Sequence, residues 1–134
     1  LRAAENGGIL WVDSPEAGDY SVDSLCFSVR ESGMSPLHFA SPKTGHPWLT
    51  GLGQELFRHW YSSAEDRIAP LADCTVQAEG FSTVLASRNT GTWEPAAVLC
   101  ERRWGKGLIV LSQIPLSRMR ENPAGRILLS RIRA

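Results

Sequence analysis

The chain has 134 residues, 43% of them apolar and 21% charged, with 14 basic and 14 acidic side chains. That length supports one hydrophobic core and hardly two, so a single domain over residues 1–134 is expected. A formal charge of zero argues against nucleic acid or an anionic membrane as partner, and no apolar run is long enough to span a bilayer.

The chain opens inside a helical pattern, Leu1 to Asn6, which the glycine pair Gly7-Gly8 is placed to end. Ile9-Leu10-Trp11-Val12 is a continuously apolar run, the pattern of a strand covered on both faces. It delivers Asp13-Ser14-Pro15 to its carboxyl end, where open α/β sheets usually place their chemistry. Residues Ser14 to Asp23 are rich in Ser, Pro, Gly and Asp and read as a surface loop. "SLCFSVR" alternates like a short strand or a turn-rich excursion. "SPLHFASPKTGHPWLTGLG" reads as a strand and then an irregular loop, with His46 to Leu49 making a tight turn that ends in Gly51.

In "QELFRHWY", Leu56, Phe57 and Trp60 have the spacing of one face of a short helix. "RIAPLA" is a brief extended segment, and "STVLASR" reads as a central strand because Val84, Leu85 and Ala86 run together. The clearest local signal is a β-hairpin. Ala96 to Arg102 and Leu108 to Gln113 flank Trp104-Gly105-Lys106-Gly107, whose glycines permit positive backbone angles. A closing helix follows, with Asn122 as N-cap, Pro123 in its first turn, and Ile127, Leu128 and Ile132 as the buried stripe. Helix, strands, hairpin and closing helix in that order predict an α/β layered sandwich.

Candidate chemistry is sparse. Cys26, Cys74 and Cys100 are an odd, scattered set with no CxxC, expected to be buried and inert. His38, His46 and His59 have no zinc-ligand spacing, so neither a metal nor a cofactor is expected. The adjacent acids Glu65 and Asp66, and Asp13 with Glu16, read as solvated surface rather than a glycosidase pair. From Arg118 to Arg133 there are five arginines and one acid, Glu121, read as a solvated helix face with an anion-binding patch as the alternative. Five tryptophans stand out. Trp11 is expected to be structural, Trp48 and Trp60 to pack together, and Trp93 and Trp104 to be the more exposed pair, suited to stacking on sugar rings.

"LRAAENGGILWV" resembles the helix–GG–strand unit of class I glutamine amidotransferase-like domains, which have a flavodoxin-like, three-layer α/β fold. "HPWLTGLG", Trp60, "AAVLCERRWGKGLIVLSQIPL" and "NPAGRILLSRI" resemble one branch of that superfamily: non-catalytic domains attached to bacterial glycoside hydrolases and related, often exported, proteins. The resemblance implies that one or two βα units normally preceding the GG strand are absent. Because the chain also begins at Leu1 without a methionine, it is expected to be an excerpt of a longer bacterial protein, cytoplasmic or exported.

The resemblance also implies where a catalyst belongs. Working members carry a cysteine in a GxCxG-like elbow after this strand, served by a histidine and an acid. Here Asp13 or Ser14 stands in that place and Pro15 follows, so the elbow is degenerate. His46-Pro47 lies too early to be the catalytic histidine pair, and Trp48 stands where an acid is wanted. The expectation is a non-catalytic accessory domain that packs on a catalytic domain or mediates oligomerisation. The alternatives are a carbohydrate-binding module, with Trp93, Trp104, His46 and Trp48 as candidate ligand residues, and a degenerate hydrolase using Asp13 or Ser14.

Overall fold

The structure, a computed structural model, describes residues 1–31, 44–53, 56, 61–62, 67–68, 74–88 and 95–134. Helix α1 (Arg2–Glu5) leads into strand β1 (Ile9–Asp13), then the hairpin of β2 (Gly18–Val22) and β3 (Leu25–Glu31). A single 3-10 turn covers Pro47–Leu49, and the short strands β4 (Tyr61–Ser62) and β5 (Arg67–Ile68) pair with each other. Strands β6 (Cys74–Gln77), β7 (Ser82–Arg88), β8 (Pro95–Trp104) and β9 (Gly107–Ser112) follow. Helices α2 (Leu116–Glu121) and α3 (Pro123–Arg133) close the described chain.

Seven strands form one mixed sheet in the order β1-β9-β8-β6-β3-β2, with β7 paired to β8. The β1–β9 pair is parallel and every other pair is antiparallel. The fold is therefore α/β, with helices α2 and α3 on one face of a strongly curled sheet. On that face Val110, Leu108 and Leu99 meet Met119, Leu128, Leu129 and Ile132. On the other, Ile109 and Leu111 meet Leu25, Phe27 and Val29 of β3. Strands of one sheet can face each other across a core only if the sheet bends back on itself. This arrangement is compatible with the expected flavodoxin-like fold without identifying it.

Local sequence chemistry accounts for most boundaries. Helix α1 ends in a Schellman arrangement: the amide of Gly7 (φ 101°) donates to Ala4 O at 3.1 Å, and that of Gly8 to Ala3 O at 2.7 Å. The β8–β9 hairpin turns on Gly105 and Lys106, between the paired Trp104 and Gly107. Only Gly105 of the two central residues has positive φ (58°), the signature of a type II′ turn. Asn122 Oδ1 accepts from the amide of Ala124 at 2.9 Å, and Pro123 occupies the first turn of α3, both as expected.

Several expectations need correction. Among the described residues strand β1 lies at an end of the sheet, with Ile9 40% exposed, yet both its faces are covered: Trp11 packs on the helix-side core, Leu10 and Val12 on the other. The segment Ser14 to Asp23 is not all loop, because β2 pairs with β3 across the turn at Asp23-Ser24. Ile127 is 44% exposed; Leu129 is buried instead, beside Ala124, Leu128 and Ile132. Cys26 is exposed and Cys74 half-buried, leaving Cys100 as the one buried thiol.

Strand β7 has a single partner, β8, among the described residues, where a central strand would have two. It is nevertheless buried, through a bulge. The register slips at Val84 on β7, between the Thr83–Cys100 and Leu85–Leu99 pairs, and slips back at Val98 on β8. An extra residue in each strand rotates the following side chains. Val84, Leu85, Val98 and Leu99 therefore all enter the helix-side core, where strict alternation would send half of them to the other face. Phe57, Trp60, the rest of "RIAPLA" and the Glu65-Asp66 pair lie outside the described residues.

Candidate functional site

The strand-exit corner after β1 is occupied by structural hydrogen bonds. Asp13 Oδ1 accepts from the amide of Leu116 at 3.0 Å and from the Ser14 hydroxyl at 3.1 Å. Helix α2 begins after Pro115, which offers no capping side chain, so the carboxylate of Asp13 serves as its cap from the end of the strand next to β9. The Ser14 amide donates to Ser112 O at 2.7 Å, and Gln113 Nε2 donates to Pro15 O at 3.0 Å. Ser14 has φ 48°, a left-handed angle of the kind an elbow uses, but β2 and not a helix follows it.

None of the three thiols sits at that corner. Cys26 lies within β3, where its sulfur is 3.4 Å from the Ser21 hydroxyl, and Cys74 opens β6. Cys100 is 2% exposed within β8, and burial, with a smaller effect from the neighbouring Glu101 charge, pushes its thiol up to about 12. A thiol held protonated is a poor nucleophile.

The most developed polar constellation lies at the opposite end of the sheet. His46 precedes a proline and is extended (φ −68°, ψ 132°), as sterics before proline require. Its Nδ1 accepts from the Trp48 amide at 3.3 Å, capping the 3-10 turn. With Nδ1 an acceptor, the proton of the neutral ring is on Nε2, which donates to Glu101 Oε1 at 3.1 Å. Both side chains are largely buried, at 9% and 15% exposure. The imidazole also lies against the Trp48 ring, centroids 4.6 Å apart and planes tilted by 59°.

Two further bonds hold this turn in place. Thr44 Oγ1 donates to Val84 O at 2.8 Å, and Arg131 Nη1 to Trp48 O at 2.6 Å. Leu49 is buried in the helix-side core. Both ring nitrogens of His46 are thus engaged, one by a backbone amide and one by Glu101, so neither remains to take a proton from a nucleophile.

Beside the pair is a hollow of about 440 Å³ between the amino ends of β1 and β9, the end of α3 and the His46–Trp48 turn. Of the expected ligand residues, the structure brings His46 and Trp48 together here, at the far end of the sheet from Asp13 and Ser14. Trp104 is elsewhere, half-buried against the other core, with the Arg102 guanidinium 5.1 Å above its ring. Trp93 lies outside the described residues. Trp11 packs on the helix-side core, as expected of a structural residue.

Glu101, Arg103 and Arg133 at this site were not legible as site residues. The available signal was the period of β8: Cys100, Arg102 and Trp104 share one face, so Glu101 and Arg103 share the other. Among the described residues, no group of three or more His, Cys, Asp or Glu side chains could hold a metal ion. In comparison with known proteins, no family model matches the chain, and neither does any curated protein or solved structure.

Proposed function

We propose that this chain is a non-catalytic accessory domain of a larger, carbohydrate-active protein of the glycoside hydrolase type, which packs against a catalytic domain or mediates oligomerisation. The family assignment and flavodoxin-like fold rest on the sequence resemblance. The observation that carries the non-catalytic reading is the corner after β1. There Asp13 is spent on capping α2, and the backbone on either side is tied to residues 112–116. The buried, protonated Cys100 and the doubly engaged His46 point the same way.

Strand β1, which has one neighbour among the described residues, and the exposed apolar side chains Ile9, Val22 and Ile127 support an interaction role, because unpaired edges and apolar surface favour association. Light scattering across a concentration series tests it, together with ester, amide and glycoside hydrolysis panels. Concentration-dependent association with silent panels is expected. A monomer at every concentration refutes the oligomerisation arm, and hydrolysis abolished by Asp13→Ala refutes the non-catalytic reading.

A further inference from the structure

The hollow beside His46 and Glu101 differs from an ordinary surface crevice in its charge. Among the side chains that line it, the cations Arg103, Lys106 and Arg133 outnumber the single acid, Glu101, whose carboxylate already holds His46. The whole chain is neutral, so this excess is a local segregation of charge rather than a reflection of composition. Arg103 and Lys106 are exposed, the first on β8 just before the hairpin turn and the second within it, while Arg133 comes from the last turn of α3. Cations delivered by one hairpin and one helix converge on one cavity.

The remaining lining is amphipathic. Trp48 and Ile9 supply apolar surface, and Glu101 keeps its second oxygen available as an acceptor while Oε1 accepts the hydrogen bond from the imidazole. Guanidinium and ammonium donors suit a carboxylate or phosphate. A carboxylate acceptor suits a hydroxyl, and the face of an aromatic ring suits C–H surfaces. The volume is at the small end of ligand sites and admits a mono- or disaccharide.

We propose that this hollow binds an acidic sugar, a hydroxylated anion of mono- or disaccharide size, with Arg103, Arg133 and Lys106 on the anionic group and Glu101 on a hydroxyl. The His46–Glu101 pair holds the carboxylate and the tryptophan beside each other in the lining. The choice of a sugar over other hydroxylated anions rests on the carbohydrate-active reading above, whereas the anion site rests on the cavity alone.

Isothermal titration calorimetry with the 134-residue chain tests this, using digalacturonate and glucose 6-phosphate as the carboxylate and phosphate arms. Galactose, inorganic phosphate and malate serve as the neutral, bare-anion and non-sugar arms. At least one acidic sugar is expected to bind saturably, with galactose silent. Arg103→Ala, Arg133→Ala and Lys106→Ala, all at exposed positions that should fold normally, are each expected to weaken binding by about tenfold for the arginines and less for the lysine.

No saturable binding of either acidic sugar overturns the proposal, as does binding that the two arginine variants leave unchanged. Inorganic phosphate or malate binding as tightly as the acidic sugars overturns the sugar assignment. Because association is read separately by light scattering, loss of the accessory-domain reading and loss of this site are distinguishable.

Discussion

The imidazole of His46 and the carboxylate of Glu101, 55 residues apart in the chain, meet at 3.1 Å in a pocket that buries most of both. Neither group reaches the corner after β1 where catalysis was to be sought. Their partnership fastens the His46–Leu49 turn to the centre of β8, and the second ring nitrogen secures the turn itself.

Removing one member therefore strands the other. Glu101→Ala is expected to cost about 1–3 kcal/mol of stability, because the largely buried Nε2–H loses its acceptor. His46→Ala should cost a similar amount. The double variant should cost clearly less than the sum, since the orphaned group is then absent. Urea denaturation of the four proteins measures this, and additive losses would show that the two side chains act independently.

Asp13 is expected to behave as a cap. Asp13→Ala should lower stability by about 1 kcal/mol through the loss of the acceptor for the Leu116 amide, and Asp13→Asn should restore most of it. Thermal unfolding, with amide exchange at Leu116 as the local readout, distinguishes this from a general loss of packing. Equal losses in both variants would count against capping.

Cys100 predicts the response to alkali. An unfolded thiol ionises near 9.0, whereas the folded one is held up to about 12 by burial and by the Glu101 charge. Above the lower value the unfolded state releases a proton that the folded state keeps, so stability is full below about pH 9.0 and drains away towards about pH 12. Cys100→Ala should flatten that slope relative to the parent. In the native protein at neutral pH a thiol reagent should label the exposed Cys26 and spare Cys100 until unfolding. Early labelling of Cys100 would contradict its burial.

Features governed by nearest neighbours were legible from the residues. Gly7-Gly8 after a helical run, Gly105 within a hairpin, and Asn122-Pro123 before an apolar helix each act through backbone angles and hydrogen bonds spanning a few positions. The α/β character followed from their order. The His46-Pro47 turn was legible for the same reason, because proline restricts the residue before it.

Sheet position and the site depended on contacts that no local pattern encodes. The apolar run of β1 looks the same whether the strand is central or at an edge, and only its pairing, to β9 alone among the described residues, separates the two. Paired bulges at Val84 and Val98 break the alternation from which a face is read, and a bulge follows from how two distant strands fit. Asp13 could be named from its place at the strand end, but its role as a cap arose when residue 116 came to rest beside it. Sequence order determined which side chains each element carries; folding in three dimensions decided that His46, Glu101, Arg103, Lys106 and Arg133 share one cavity, because that meeting joins residues from opposite ends of the chain.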